Sequence, residues 1–563
     1  MTTASPSPRR HDLDALRAIA MLLGILLHAT MPFVGLPEKF FPLQDVSQAP
    51  WMGLLLHAIH GFRMPLFFLI SGFFCAMLWR KRGLAALISH RFQRIFLPLL
   101  IGMFTIIPAT WVAYSLPVIA RAIAAEQRAG QQDNDEKGKD PDSAEANQQT
   151  DSRVSRLFEA IGRRDETAVR ELLEAGVSPD SRHPRGYTAL NACNYANTSE
   201  INRLLLDQGA DPSLPSEEGD RNTPLHESVF WGQSEIAEQL LEAGADHRAV
   251  NLKGATPAVM ATVDIDLAFR IAQLIGLRLS KEEIERGRER IGEMLEVPRP
   301  LVPQQENLMA ILMYSPVFHH LWFLWYLCWL VAAFAIWAGL LGRFPLPRVC
   351  LMPPVCFLWL LPVTWLFQNR MGVMPDTFGP DTALGLVPVP SILGYYAVFF
   401  FYGAWYFDCD DESGKLGRSW MICLPLAMLV VFPLGIEFTT GDFGFAHRLA
   451  PVKDHRFYSV LLQVAYVWLM TVGSLGLFRS CFRRPSSRLR YLSDSSYWLY
   501  LAHLPLLTVV QFSISGLPII ALVKMLGALL FCTVLLLLSY EYGVRYTFVG
   551  TLLNGPRTRN TDN

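Results

Sequence analysis

The stretch Ala18-Ile-Ala-Met-Leu-Leu-Gly-Ile-Leu-Leu-His28-Ala-Thr-Met-Pro-Phe-Val-Gly-Leu36 decides the fold. It is long and apolar enough to cross a bilayer, and Arg17 stands at its start. His28 follows Arg17 by eleven residues, which is about 16 Å along a helix that rises ~1.5 Å per residue. If Arg17 marks the inner membrane face, His28 lies near the middle of the bilayer. An ionisable side chain at that depth indicates a functional site, although a histidine hydrogen-bonded to a neighbouring helix would explain it equally well.

The composition extends this prediction to most of the chain. Of the 563 residues 51% are hydrophobic and 18% are charged, which excludes an ordinary soluble protein of this length. The nine cysteines form no CxxC pair, so the sequence indicates neither a metal site nor a disulfide framework. We expect an all-α fold, a polytopic membrane bundle of about ten transmembrane helices. The candidate spans are 18–36, 51–79, 95–120, 317–341, 350–368, 391–407, 419–437, 457–478, 493–513 and 517–540.

The distribution of basic residues predicts the orientation of the spans. With the N-terminus inside, the inner segments are rich in Lys and Arg, as at Arg80-Lys81-Arg82 and Arg483-Arg484, whereas the outer loops hold few. We therefore expect both termini in the cytoplasm. The long segment after the third span then falls on the outer side.

That segment has a different composition and an internal period. Residues 122–154 are rich in Gln, Asp, Asn and Glu, which predicts a disordered polar linker. Within 155–295, Thr188, Thr223 and Thr256 lie 35 and 33 residues apart, and Leu-Leu-x-x-Gly recurs at 172–176, 205–209 and 240–244. This period resembles the ankyrin repeat, a stack of helix pairs that binds partners through its surface. The predicted membrane parts are therefore 1–121 and 311–545, followed by a tail at 546–563.

Polar residues inside the spans occur at related depths. His503 lies about ten residues into the ninth span, near mid-bilayer like His28. Arg63 lies in the outer half of the second span, and His320 opens the fourth span on the outer side. Further histidines, at positions 57, 60 and 319, lie toward the same side. Together they suggest a polar passage through the bundle.

Six motifs in the same order resemble those of the membrane acyltransferase-3 family. The first two are the opening Leu13-Asp-Ala-Leu-Arg17-Ala-Ile-Ala20 and the spacing of Arg17, ten residues and His28. The others are Phe67-Phe-Leu-Ile-Ser71-Gly-Phe73, Arg91-Phe-Gln-Arg94-Ile-Phe-Leu-Pro98, His320-Leu-Trp322-Phe-Leu324 and Ser496-Tyr497-Trp-Leu-Tyr-Leu-Ala-His503. The similarity is closest to the glucan succinyltransferase branch, glucans biosynthesis protein C. About 190 inserted residues depart from the short loop that the family usually has between the third and fourth spans.

The resemblance implies an integral membrane O-acyltransferase of the bacterial inner membrane. Such an enzyme moves an acyl group, acetyl or succinyl, from cytoplasmic acyl-CoA to hydroxyls of a periplasmic or cell-surface glycan. Acyl-CoA is then a co-substrate, and no bound cofactor is expected. His28 and Arg17 are the candidate catalytic residues, with His28 as the general base, since histidine has the right pKa to take a proton from an alcohol.

The resemblance also implies binding roles for other residues. Arg17, with Arg91 and Arg94, is expected to hold the phosphates of CoA by charge-assisted hydrogen bonds, although positive-inside anchoring explains such arginines too. Ser71 is a further binding candidate, and it is expected to allow close helix packing rather than to act as a nucleophile. The remaining candidates for substrate binding are Arg63, His320, Trp322, Tyr497 and His503.

Two other functions fit part of the sequence. A membrane transporter or channel with an ankyrin regulatory domain would explain intramembrane histidine and arginine equally well. A membrane-tethered scaffold would explain the repeats, but the six motifs argue against it. The expected partners are acyl-CoA, a glycan or polysaccharide acceptor, membrane lipid and a protein or polymer bound by the repeats. Nucleic acid is not among them.

Overall fold

The computed structural model describes residues 10–36, 41–136, 144–217, 220–251, 255–261, 263, 265–295, 308–342, 346–372, 377–382, 384–441, 443–451 and 454–557. The regular structure in these ranges is helical, without a β-strand, which confirms the predicted all-α class. Backbone contacts divide the chain into two units. The membrane unit comprises residues 1–35, 43–118 and 305–563, and the repeat unit comprises 36–42 and 119–304.

Three helices precede the repeats: α1 (His11–Thr30), α2 (Met52–Arg91) and α3 (Leu97–Glu136). Helix α1 begins earlier than the predicted apolar segment, because Asp12 and Asp14 in its first turn complement the positive end of the helix dipole. It ends in a 3₁₀ turn that contains Pro32, which lacks the N–H needed to continue an α-helix. Arg17 therefore lies inside α1 rather than at its start, and His28 lies in its last turn.

The repeat unit is a stack of helix pairs. Its helices are α4 (Ala144–Arg163), α5 (Glu166–Glu174), α6 (Ala189–Ala196), α7 (Ser199–Asp207), α8 (Pro224–Trp231), α9 (Ser234–Glu242), α10 (Pro257–Met260), α11 (Ile265–Leu274) and α12 (Lys281–Met294). The second helix of each pair ends at a glycine with a left-handed φ of 76–88°, as at Gly176, Gly209, Gly244 and Gly276. Thr188 and Thr223 cap the first helices of the next pairs. Helix α12 lies across α8 and α9 where Gly287 meets Gly232 backbone to backbone.

The expected linker differs from the structure. Residues 122–136 continue α3, and residues 144–154 belong to α4, while 137–143 lie outside the described residues. The stretch is polar, but it is also rich in Ala, Gln, Glu and Arg, which are strong helix formers. Polarity alone therefore did not distinguish a linker from a polar helix.

The membrane unit resumes after the repeats. Its helices are α13 (Leu308–Tyr314), α14 (Trp322–Leu340), α15 (Arg348–Leu351), α16 (Val355–Gln368), α17 (Pro390–Asp408), α18 (Trp420–Leu426), α19 (Phe432–Thr440), α20 (Ala446–Leu449), α21 (His455–Cys481), α22 (Ser487–Ile514), α23 (Ala521–Ser539) and α24 (Phe548–Asn554). Every predicted span falls on a helix, so the chain is an integral membrane protein with a helical bundle. The tail expected at 546–563 contains α24, and residues 558–563 lie outside the described residues.

The number of membrane crossings stays a prediction. Seven helical segments of the described ranges are long and apolar enough to span: His11–Phe33, Met52–Ala120, His319–Leu340, Trp420–Thr440, His455–Cys481, Ser487–Ile514 and Ala521–Val544. One of them, Met52–Ala120, is 69 residues long and contains two of the predicted spans. Val355–Gln368 is a shorter apolar helix.

Helices α2 and α17 cross in direct backbone contact. A Cβ atom on Gly72 would lie 1.8 Å from the carbonyl oxygen of Phe400, and one on Gly403 would lie 1.9 Å from that of Leu69. Only glycine fits at both positions, because small residues are what lets two membrane helices approach closely. This crossing holds the α2 backbone that carries Arg63.

His226 links two ankyrin repeats through both ring nitrogens. Its Nδ1 accepts from the Thr223 N–H at 3.3 Å, and its Nε2 donates to the Ala255 carbonyl at 2.8 Å. Burial lowers the pKa of His226 below the ordinary value of 6.5. Between these two pKa values the unfolded repeat binds more protons than the folded one, so stability falls as the pH drops through about 6.5.

We therefore expect amides of α8 and α10 to lose hydrogen-exchange protection between pH 7.5 and 5 in the full chain, after correction for intrinsic exchange. In His226→Ala this pH dependence disappears, and protection at neutral pH falls by ~1–3 kcal/mol because buried partners are left unpaired. The exposed His247 provides the control: His247→Ala keeps the wild-type pH profile. An unchanged profile in His226→Ala would contradict the assignment.

Candidate active site

Three imidazole rings from three separate elements contact one another inside the membrane unit. The rings of His28 in α1 and His503 in α22 have centroids 5.1 Å apart. His503 in turn meets His320, in the 3₁₀ turn before α14, edge to face at 5.2 Å. We call these three residues the histidine chain. His503 and His320 are buried, whereas His28 is partly exposed and forms the open end of the chain.

The buried rings are held by backbone carbonyls. Nδ1 of His503 lies 2.8 Å from the carbonyl oxygen of Tyr500, and Nε2 of His320 lies 3.0 Å from that of Leu501. Since a carbonyl only accepts, each ring donates at that nitrogen, which is where the neutral ring carries its proton. The Tyr500 hydroxyl completes the arrangement by donating to the His320 carbonyl at 2.6 Å. The other nitrogens, Nε2 of His503 and Nδ1 of His320, have no hydrogen-bond partner among the described residues.

His28 is held differently. Its Nδ1 lies 3.2 Å from the thioether sulfur of Met31, a weak acceptor. Its Nε2 has no hydrogen-bond partner in the described part of the chain. Because the ring is partly exposed, this nitrogen is available to a ligand. His28 is therefore the member of the chain best placed to take up a proton.

Arg63 lies against α1 one turn before His28. A Cβ atom on Gly24 would lie 1.7 Å from Nη1 of Arg63, so the guanidinium occupies the space that a side chain at position 24 would need. Its Nε is buried without a hydrogen-bond partner in the described ranges. No carboxylate of the described residues is among the groups that act on its charge. An arginine that carries its charge without an acidic neighbour makes this site attractive to negative charge.

A second group of basic residues lies at the end of the bundle that the sequence predicts to be cytoplasmic. Arg17 donates to the Ser493 hydroxyl at 2.8 Å, and Arg94 donates to the Leu553 carbonyl at 3.1 Å. Nε of Arg91 is buried without a partner among the described residues. The positive charges of Arg17 and Arg91 both act on Arg94. We call Arg17, Arg91 and Arg94 the inner arginine cluster.

The local backbone explains how Arg91 and Arg94 come together there. Arg91 ends α2, and Arg94 sits in a π-helical turn, Phe92–Phe96, that joins α2 to α3. Such turns are rare and frequently mark functional sites, because they redirect side chains within a continuous helix. The Tyr497 hydroxyl donates to the Arg94 carbonyl at 2.8 Å and so anchors this turn to α22.

Four predicted site residues belong to neither group; Arg63 and Tyr497 are described above, and the other two lie elsewhere. Trp322 packs in the aromatic core, with ring centroids 5.5 Å from Tyr396 and 6.5 Å from Phe68. Ser71 precedes Gly72 at the crossing of α2 and α17. The substrate-binding role predicted for each stays a prediction.

Sequence reasoning missed two residues of the site. Tyr500 lies inside the Ser496–His503 motif, but only its histidine and first tyrosine were singled out. Gly24 accommodates Arg63. The sequence feature that could have identified it is a glycine four residues before His28. Neither contact follows from spacing within one helix, since both join residues distant along the chain.

Comparison with known proteins identifies both parts of the chain. Residues 10–128 and 289–539 match the profile of an acyltransferase domain, that of the acyltransferase-3 family, over more than half of the chain. The chain belongs to the acyltransferase-3 family. Residues 157–251 match ankyrin repeats in three copies, which confirms the predicted repeats. The predictions of an acyltransferase enzyme and of a repeat domain inserted into it are therefore confirmed at the level of the family.

Curated relatives resemble a smaller part of the chain. Glucans biosynthesis protein C of Salmonella paratyphi B, Salmonella heidelberg and Salmonella schwarzengrund is in each case 35% identical over 95 residues. This match covers 17% of the chain and 24% of each relative. The chain thus spans about a quarter of the length of these curated relatives. Membership of the family therefore does not by itself assign their activity to this chain.

The fit of Arg63 against Gly24 makes a testable prediction. In Gly24→Ala the new methyl group displaces the guanidinium, which moves readily because it ends a flexible side chain. We expect the protein to fold and its acyl transfer to fall about a hundred- to a thousandfold, as when one preorganised donor is lost. Gly527→Ala is the control, since a Cβ there meets nothing within 4 Å. Equal transfer by both variants would show that the position of Arg63 does not matter.

Proposed function

We propose that this protein is an integral membrane O-acyltransferase that moves an acetyl or succinyl group from cytoplasmic acyl-CoA to a hydroxyl of a periplasmic or cell-surface glycan. His28 is its general base. The observation that carries the proposal is the partly exposed His28 imidazole beside an arginine that has no acidic neighbour among the described residues. Family membership supplies the reaction class.

The spacing of Arg17 and His28 supports a donor that enters from the inner side. Eleven residues are about three helical turns, so both side chains lie on one face of α1, ~16 Å apart. The inner arginine cluster then binds the phosphates of CoA at one end of this distance. The flexible pantetheine arm extends along α1 and brings the thioester to His28 at the other end.

In the chemical step His28 acts as the base and Arg63 stabilises the charge that develops. Nε2 of His28 takes the proton of the acceptor hydroxyl as its oxygen attacks the thioester carbonyl carbon. A C–O bond forms, negative charge develops on the carbonyl oxygen, and Arg63 stabilises that charge. The C–S bond then breaks, and His28 returns its proton to the CoA sulfur. His503 and His320, fixed by the carbonyls of α22, keep the rings aligned.

We propose that the acceptor binds on the outer side of the histidine chain. The relatives named above carry glucans biosynthesis in their name, and a glucan hydroxyl is therefore our first choice of acceptor. In this orientation both termini are cytoplasmic, and the ankyrin unit lies in the periplasm of a bacterium with the bundle in its inner membrane. The ankyrin surface then binds a protein or polymer partner.

The test compares wild type with His28→Ala in membranes supplied with radiolabelled acetyl-CoA or succinyl-CoA and a glucose oligosaccharide. We expect label in the oligosaccharide with wild type and about a hundredfold less with the variant, a change of ~2.7 kcal/mol in the barrier. His447→Ala is the control, since this histidine is exposed on α20.

Equal protein in the membranes is verified by immunoblot. Equal labelling by wild type and His28→Ala would remove His28 as the base and leave the enzyme class standing. Absence of labelled product with either donor, in wild type as well, would contradict the proposed reaction and favour transport.

A further inference from the structure

An irregular piece of backbone lies buried within the membrane unit on the outer side of the histidine chain. It consists of Phe378, Gly379 and Pro380, between α16 and α17, and we call it the buried segment. The Phe378 ring is fully enclosed, with centroids 5.2 Å from both Phe432 and Tyr466. Non-helical backbone at membrane depth is tolerated only where protein surrounds it or where it lines a cavity.

Two glutamines bind the centre of the buried segment. Gln368 of α16 donates to the Gly379 carbonyl at 3.1 Å, and the Gly379 N–H donates to Gln463 of α21 at 3.0 Å. Gly379 has φ +126°, and a Cβ atom there would lie 2.6 Å from the His60 ring. Glycine is therefore required by the backbone conformation and by the close approach to α2.

Two histidines of α2 bind its flanks, and these bonds assign their tautomers. Nε2 of His60 donates to the Pro380 carbonyl at 2.9 Å, which leaves Nδ1 as an acceptor. Nδ1 of His57 accepts from the Phe378 N–H at 3.4 Å, which leaves Nε2 as a donor. Neither remaining nitrogen has a hydrogen-bond partner in the described part of the chain, and both rings are partly exposed.

The two free nitrogens belong to neighbouring side chains of α2. His57, His60 and Arg63 follow one another at intervals of three residues, so each neighbours the next along α2, and His57 and Arg63 lie about 120° apart around the helix. The pair offers one donor and one acceptor without charge. A sugar hydroxyl donates and accepts at once, whereas an anion would need donors only. The chemistry of the pair therefore fits a neutral polyhydroxylated ligand better than an acyl-CoA phosphate.

We propose that His57 and His60 form the acceptor subsite, at which a polyhydroxylated glycan binds before its hydroxyl reaches His28, with the buried segment fixing the tautomers of both rings. This inference rests on the proposed function. It names the binding residues that the proposed function leaves open on the acceptor side.

The test separates ligand binding from anchoring of the segment. His60→Gln keeps an amide N–H near the position of Nε2, and so keeps the bond to Pro380, but loses the acceptor at Nδ1. His60→Asn places its amide near Nδ1 and loses the bond to Pro380. His447→Gln, on the exposed α20, is the control. The full chain in nanodiscs is assayed with labelled acyl-CoA and glucose oligosaccharides of defined length.

We expect His60→Gln to raise the KM for the oligosaccharide about tenfold and to leave the KM for acyl-CoA and the thermal midpoint unchanged. We expect His60→Asn to lower the thermal midpoint as well. An unchanged oligosaccharide KM in His60→Gln would overturn the subsite, and so would an equal rise in the KM for acyl-CoA.

Direct binding distinguishes failure of this inference from failure of the proposed function. Oligosaccharide binding, followed by saturation-transfer NMR, needs no turnover. If wild type transfers no acyl group but binds the oligosaccharide through His60, the proposed reaction fails and the subsite stands. If wild type binds no oligosaccharide, or if His60→Gln binds it as well as wild type does, the subsite is contradicted whatever the activity.

Discussion

The structure depends on the requirement that polar groups inside a membrane bundle find partners within the protein. His503 and His320 meet it by donating to carbonyls at Tyr500 and Leu501, so each ring is fixed. That arrangement binds the turn before α14 to α22 and presents a rigid imidazole surface to α1. His28 closes the cluster and is its partly exposed member, which separates a candidate base from a structural histidine.

The close approach between helices positions Arg63, the other part of the site. Gly72 and Gly403 bring α2 against α17, and Gly24 leaves room on α1 for the guanidinium of Arg63. A charged group thus reaches α1 from α2 with no acidic neighbour in the part of the chain that the structure describes, which is unfavourable unless a ligand uses it. The same helix carries His57 and His60, so in our proposal α2 connects the acceptor side to the reacting centre.

The sequence predicted much of this arrangement because spacing along one helix reports geometry directly. Arg17 and His28 share a face of α1, and the apolar stretches and the ankyrin period fixed the class of both units. Other features depend on contacts between distant residues and were not predictable. The seating of Arg63 on Gly24 and the burial of Phe378 to Pro380 are of this kind. The helical stretches at 122–136 and 144–154 were missed because polar helix formers look like a linker when no apolar face is present.

The most direct test of the account is the position of a bound donor. A cryo-EM map of the full chain in nanodiscs, with a thioether analogue of acetyl-CoA, locates the phosphates and the sulfur independently. The account predicts phosphates on Arg17, Arg91 and Arg94 and the sulfur beside Nε2 of His28. Phosphates bound elsewhere, or a sulfur remote from His28, would contradict the claim that α1 carries the donor from the inner arginine cluster to the base.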